Sequence, residues 1–489
     1  MAKTTQRNIE AIYPLAPMQE GMLFHTLMAP RDGLYITELS CTLDGPFDSE
    51  RLLAAFRHTL ERHPALRTGF VWEKVEKPVQ VVFREVDTVP FELVDVAHLD
   101  DDAQRHEIDQ RIETSRQQGF DLKQAPLLRL MVFRVAAERH RLHWHLHHLV
   151  IDGWSLPIVL RDLFRSYLGA PAEPVPRPYR DYITWLKEQD EVAGERYWRE
   201  LLAGFTAPTP LGVDRPVTAG GGRAEARARL TVEEMARVRA FAASRHITVN
   251  TVFQGAWAYL LSRLSGQSDV VFGTTVSGRP ASLPGVESIV GLFLNTLPMR
   301  VEIDAATTVS DWLRELQSQQ VGSRELEHVP LVSIQRSSEV PSGQTLFDSL
   351  LVFENTPIDQ ATDSLPSEIS LHDLETGGHG NYPLMILGVP EGDSLLIRAK
   401  YDTARFDAIS VEVLAEQLRA VMVALTTENE LGDLALDATR PRHLELPRLD
   451  QPIQLEPQVP VAAQVRRFIE QTPDATAVAQ GETSWSYRQ

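Results

Sequence analysis

A chain of 489 residues, 43% hydrophobic and 24% charged, is too long for one ordinary core and reads as two or three soluble globular domains or lobes. Its formal net charge of -19 argues against a general binder of nucleic acid or anionic membranes, both of which need basic surface. One cysteine, Cys41, excludes an intramolecular disulfide and any cysteine-rich metal centre. The opening "MAKTTQRNIE" lacks the apolar core of a signal peptide, and no run of apolar residues is long enough to span a membrane, so a cytoplasmic protein is expected.

Along the chain, "ITELSCTLDG" alternates in polarity and places Cys41 as a packed strand thiol. "SERLLAAFRHTLERHPALR" carries Leu52, Leu53, Phe56 and Leu60 on one helical face, with Asp48 or Ser49 as cap and Pro64 at the end. "LLRLMVFRVAAERHRLHWHLHHLVI" reads as two strands joined around Ala137–Arg139, and "LPIVLRDLFRSYLGA" as the following helix. The proline-rich "APAEPVPRPYRDY" at 170–182 reads as a crossover between lobes. Helices are predicted at 231–245, 250–265 (closed by Gly266) and 310–325, with strands near 268–276, 347–354 and 395–402. Beyond about 440, "TRPRHLELPRLDQPIQLEPQVP" has the texture of a linker. "VAAQVRRFIEQTPDATAVAQGETSWSYRQ" then reads as a short amphipathic helix and the start of a strand, the front edge of a further domain.

Arg141–Ser155, "RLHWHLHHLVIDGWS", concentrates the chemistry. If Arg141–Val150 is a strand, His148 shares the apolar phase with Leu142, Trp144, Leu146 and Val150, while His143, His145 and His147 share the other phase with Arg141. Three alternate histidines lie about 7 Å apart along a strand, too far to close around one ion, and no metal ligands are assigned. A neutral imidazole at an apolar wall suits proton transfer near neutral pH. Asp152, four residues later, is placed to pair with an arginine and lock the turn, with Gly153 permitting a sharp backbone path. Spacing alone leaves two readings open, structural histidines or an active His148.

Histidine-histidine, three residues, then aspartate-glycine resembles the signature of condensation domains of nonribosomal peptide synthetases, in the chloramphenicol acetyltransferase-like superfamily. "YPLAPMQEGMLFH" (13–25), "RHPALRTGF" (62–70), "YRDYITWLKEQ" (179–189), "VGLFLNTLPMR" (290–300) and "GHGNYPLMI" (378–386) are similar to that family's other blocks, in its order, over roughly 1–440. The resemblance implies an α/β fold of two chloramphenicol acetyltransferase-like lobes in a V-shaped pseudo-dimer with a central tunnel. It divides the chain into an N-terminal lobe (1–175), a C-terminal lobe (176–440), a linker (441–460) and the truncated start of an adenylation domain (461–489).

By the same resemblance, phosphopantetheine arms of an upstream donor and a downstream acceptor carrier domain enter from opposite faces and meet at His148. The domain itself binds no cofactor. His148 is then the catalytic imidazole, acting as base or positioning the amine, and His147 packs or orients. Asp152 pairs with Arg279 of the other lobe, and Gly153 offers its backbone to the thioester oxygen. Asn295 and Asn381 are expected to bond backbone between lobes and in the bridging segment. Trp154, Ser155, Tyr13, Met18 and Gln19 are expected near the tunnel. Arg62, Arg67, His63 and His379 read as structural.

"YPLAPMQEGMLFH" and "LEHVPLVSIQ" (326–335) look like the subtype that joins a D-configured donor residue to an L-configured acceptor. The expected partners are the two carrier domains and an adjacent adenylation domain, around a monomeric chain. An epimerization domain and a non-catalytic carrier-binding module are the alternatives.

Overall fold

In a computed structural model, residues 8–30, 32–171, 173–174, 177–217, 221–354, 369–378, 380–427, 429–434, 469–480 and 483–488 are described. The chain separates into two units, Met1–Thr439 and Arg440–Gln489.

The larger unit begins with β1 (Ile9–Pro14), α1 (Pro17–Met28), β2 (Ile36–Asp44), α2 (Ser49–Arg62), β3 (Thr68–Val71), β4 (Val79–Phe83), β5 (Phe91–Asp95), α3 (Asp101–Gln118), β6 (Leu128–Ala136) and β7 (Arg139–His147). After α4 (Ser155–Tyr167), α5 (Tyr179–Lys187) and α6 (Glu191–Leu201) come β8 (Arg223–Leu230), α7 (Val232–Arg245), α8 (Val249–Ser265), β9 (Asp269–Val276) and β10 (Asn295–Glu302). The unit continues through α9 (Val309–Ser323), α10 (Leu331–Ser337), β11 (Ser349–Phe353), β12 (Ser370–Gly378), β13 (Leu384–Glu391), β14 (Ser394–Asp402) and α11 (Ala408–Ala424).

Local chemistry explains the boundaries. The Asp48 carboxylate accepts the Arg51 amide at 3.1 Å to start α2, and Pro64 opens the short turn beyond its end. Thr231 and Glu234 form a reciprocal capping box on α7. Thr248 caps the start of α8, which stops at Gly266 in the left-handed region with φ of 71°. Cys41 is buried on β2, and burial pushes its thiol up to about 12, as befits packing rather than nucleophilic chemistry.

Among the described residues, three sheets organise the larger unit: β12-β2-β7-β6-β5, β10-β9-β11-β13-β14-β8, and the small β1-β4-β3. The first core gathers Leu52, Phe56, Trp144 and Leu163 around the five-stranded sheet, and the second gathers Phe253, Trp257, Ile397 and Leu418 around the six-stranded one. Each fully buried side chain of this size contributes about 1.5–3 kcal/mol.

The second half reaches into the first at several places. Leu283, Val286, Ile289, Leu292 and Phe293, from the loop between β9 and β10, pack in the first core. Strand β12 adds antiparallel to β2 at the edge of the five-stranded sheet. Tyr179, Tyr182 and Ile183 of α5 also belong to the first core, so that core continues past the expected boundary at 175.

In the smaller unit, residues 469–471 are helical and β15 (Thr476–Gln480) pairs with β16 (Thr483–Ser486). The expected linker at 441–460 and the first part of the expected amphipathic helix lie outside the described residues. Among the described residues no helix is long and apolar enough to cross a membrane.

Candidate active site

Strand β7 ends at His147, whose register partner on β2 is Ile36. The His148 amide then bonds Tyr35 O at 2.8 Å, and His148–Val150 form one 3-10 turn. The His147 ring drives this break: its Nδ1 accepts the Leu149 amide at 3.2 Å and caps the turn. His148 therefore does not occupy the apolar phase of a strand running to Val150, as expected from alternation; it opens the turn itself.

Asp152 locks the chain beyond that turn. Its Oδ1 accepts the Ser155 amide at 2.8 Å, and its Oδ2 accepts the Phe293 amide at 3.1 Å. Arg279 Nη2 donates to Asp152 Oδ1 at 3.1 Å and to Ser155 Oγ at 2.9 Å. Arg279 Nη1 holds the carbonyls of Val286 and Ile289 at 2.6 and 2.9 Å, and the guanidinium lies 4.0 Å from the Phe293 ring centroid. Side-chain exposure is 5% for Arg279 and 0% for Asp152, so this is a desolvated ion pair with nearly all its hydrogen bonds made.

The pair joins the turn bearing His148 to the loop before β10. That loop depends on Gly278, whose φ is 61° and where an added Cβ would lie 1.8 Å from Phe293 O.

His148 is half-buried, and its Nδ1 is sealed from solvent. With Nδ1 sealed, Nε2 is the nitrogen through which the ring would act. Burial pushes the His148 pKa below its ordinary 6.5, while the Asp152 carboxylate and the backbone of Ile151 and of His148 pull it back up. The ring is neutral near pH 7, so it can accept a proton.

A family model described as the condensation domain matches residues 9–440. The chain belongs to the condensation-domain family. One of the linear gramicidin synthase proteins of Brevibacillus parabrevis is 39% identical over 496 residues, covering 98% of this chain and 6% of that protein. Surfactin synthase subunit 3 of Bacillus subtilis (strain 168) is 33% identical over 501 residues, covering 100% of this chain and 39% of that protein. This condensation domain thus spans only a small part of the synthases it matches, and it is of the kind that nonribosomal peptide synthetases carry. In fold it is similar to the condensation domain of Monacolin K polyketide synthase, with a TM-score of 0.75 at 18% identity over 87% of this chain and 100% of that one. It is also similar to a four-domain nonribosomal peptide synthetase bound to AMP and glycine, with a TM-score of 0.73 at 19% identity over 98% of this chain and 38% of that one.

The other residues expected around the site take defined places in the condensation domain. Gln19, expected near a tunnel, is buried: its Nε2 donates to Leu149 O at 2.7 Å, and its Oε1 accepts from Ala16 N at 2.8 Å and Gln80 Nε2 at 2.9 Å. It clamps α1 onto the His148 turn. Ser155, also expected near the tunnel, is fully buried; its hydroxyl donates to Gly291 O at 3.0 Å and accepts the Gly291 amide at 3.1 Å. Tyr13 is buried as well, which raises its phenol pKa, whereas Met18 is half-buried against the first core.

Asn295 does not bond between the two halves. Its Nδ2 donates to Glu327 O and Val329 O, both at 2.8 Å, because the start of β10 lies beside that segment of the same half. Asn381 does reach the first half, through a side chain rather than backbone: its Nδ2 lies 3.3 Å from His25 Nε2 of α1. Trp154 is 37% exposed and donates to Glu287 O at 3.0 Å, and Gly153 is exposed at the turn. Arg62 and His63 share Asp162 Oδ2 at 2.7 and 2.8 Å, Arg67 binds Leu60 O at 2.9 Å, and His379 lies outside the described residues.

Lys400 was not singled out from sequence. It projects from β14 and donates to Gly378 O at 2.8 Å, and burial, with Arg398 nearby, lowers its pKa to about 8 against the pull of Glu225, Glu354 and Glu38. Its charge also lowers the His148 pKa. The signal was in "SLLIRAKYD", where Arg398 and Lys400 share one phase of the strand while Ile397, Ala399 and Tyr401 share the other.

The three alternate histidines require a correction too. His143 and His145 converge, with ring centroids 4.7 Å apart and Nε2 atoms 3.2 Å apart. Backbone spacing of about 7 Å does not limit ring spacing when both side chains lean toward each other. His147 takes no part: its ring caps the turn and packs edge-on to Phe120 at 6.2 Å.

Proposed function

We propose that this domain forms a peptide bond by moving a carrier-bound aminoacyl or peptidyl group from its phosphopantetheine thioester to the α-amine of a carrier-bound aminoacyl acceptor. The observation that carries this reading is His148 itself: a neutral imidazole with Nδ1 sealed from solvent, on a turn locked by the buried Asp152–Arg279 pair.

The amine nitrogen attacks the thioester carbonyl carbon, so a C–N bond forms and the C–S bond breaks. His148 Nε2 takes the hydrogen bond from the attacking amine and aligns its lone pair, and the released proton ends on the departing thiolate. No redox step or external reactant is required. Gly153, with no side chain beyond the turn, leaves its amide to the thioester oxygen. The two cores correspond, in this reading, to the lobes of a V-shaped pseudo-dimer whose tunnel admits the two arms. Residues 461–489 open an adenylation domain, and the donor and acceptor arms come from neighbouring carrier domains.

The blocks "YPLAPMQEGMLFH" and "LEHVPLVSIQ" support a D-configured donor residue and an L-configured acceptor. The experiment loads one carrier with a labelled D- or L-terminated donor and another with an L-aminoacyl acceptor, then follows both thioesters by mass. Product on the acceptor carrier, faster from the D-donor, is expected. Deuterium exchange at the α-carbon of a singly loaded carrier would indicate epimerization instead, and carrier binding without transfer would indicate a recruitment module.

A further inference from the structure

We propose that Glu38, His143 and His145 form a binding site for one divalent transition-metal ion of the Zn2+ class. One ligand atom from each residue lies within 4.8 Å of the others. His143 Nε2 and His145 Nε2 are 3.2 Å apart, and Glu38 Oε1 is 3.4 Å from His145 Nε2. A tetrahedral ion with bonds of about 2.0–2.1 Å separates its ligands by about 3.3 Å, so both distances match an edge of that polyhedron.

The outer nitrogens are already engaged. His143 Nδ1 lies 2.7 Å from Ser40 Oγ, and His145 Nδ1 lies 2.9 Å from Ser115 Oγ. When each Nδ1–H donates to its serine, both Nε2 lone pairs and a carboxylate converge on one point, which calls for a cation. This is the outer support that metal-ligating histidines use. Both rings are buried, whereas the Glu38 side chain is 22% exposed and provides the approach. Arg116 Nε, 4.0 Å from Glu38 Oε1, is the internal competitor for that carboxylate.

The register places the three residues as a clamp. Glu38 on β2 lies opposite His145 on β7, and Ser40 lies opposite His143. Ser115 comes from α3, so the ion ties β2 to β7 beneath that helix. It sits on the strand that ends at His147 and stays apart from Asp152 and Arg279.

The test uses the intact chain, stripped with a chelator and titrated with Co2+ and then Zn2+. One equivalent of Co2+ is expected to bind with an intense visible ligand-field band, to be displaced by Zn2+, and to shift the side-chain nitrogen signals of two histidines together. Zn2+ is expected to raise the thermal midpoint of wild type and not of Glu38→Gln. Ser40→Ala is expected to weaken binding by about 10–100-fold. No saturable binding at one equivalent would overturn the site. So would binding unchanged in Glu38→Gln and His143→Gln, or wild-type signals shifting at other histidines, a readout that holds even if a histidine variant fails to fold.

Discussion

Arg279 and Asp152 are 127 residues apart in sequence, yet Arg279 Nη2 lies 3.1 Å from Asp152 Oδ1 with both side chains sealed from solvent. Removing either partner leaves the other charge buried and unpaired. Arg279→Ala is therefore expected to destabilise the larger unit by about 3–5 kcal/mol. Asp152→Asn combined with Arg279→Met should lose clearly less than the sum of the single changes. Urea unfolding of the four proteins measures both.

Gln19 holds the His148 turn through Leu149 O, so a positioning role rather than a substrate contact is predicted for it. Gln19→Ala removes the hold on Leu149 O and strands the Ala16 amide, a loss of about 1–3 kcal/mol. The single-turnover transfer rate should fall with carrier affinity unchanged. Weaker carrier binding at an unchanged rate would place Gln19 on the binding surface instead.

The pH dependence follows from His148. Burial lowers its pKa below 6.5 despite Asp152, and in the proposed reaction the neutral ring is the working form. Transfer should rise with pH through that lowered pKa and level off before neutrality, provided single-turnover rates are read below saturation. In His148→Gln the acid limb should vanish from whatever activity remains.

Gly278 tests the loop that delivers Arg279. An alanine there combines a φ of 61° with a Cβ 1.8 Å from a backbone oxygen, which cannot move like a side-chain tip. Left-handed strain alone is about 1–2 kcal/mol, and the clash adds to it. Gly278→Ala should lower both the thermal midpoint and the transfer rate, whereas Gly222→Ala, near only Thr403 Oγ at 3.9 Å, should lower neither much.

Regular elements were legible because their signals are local. The helix over Val249–Ser265 has its threonine cap and terminal glycine within one short stretch, and β14 shows its alternation directly. The end of β7 was not legible, because it depends on His147 turning its ring back onto the Leu149 amide. Gln19 read only as a residue near the tunnel, since its partner Leu149 is 130 positions away. The meeting of His143 and His145 depends on side-chain lean and on serines from β2 and α3, none of which alternation encodes. The motif carried the identity of His148 and its Asp152–Arg279 lock, and the fold adds the holds from His147 and Gln19.

The most direct measurement is the single-turnover yield of acceptor-bound product with both carriers loaded, comparing wild type with His148→Ala and His148→Gln. Loss of product in both variants, at unchanged unfolding midpoint and carrier affinity, is the predicted result. Wild-type yield from both would contradict the role assigned to His148.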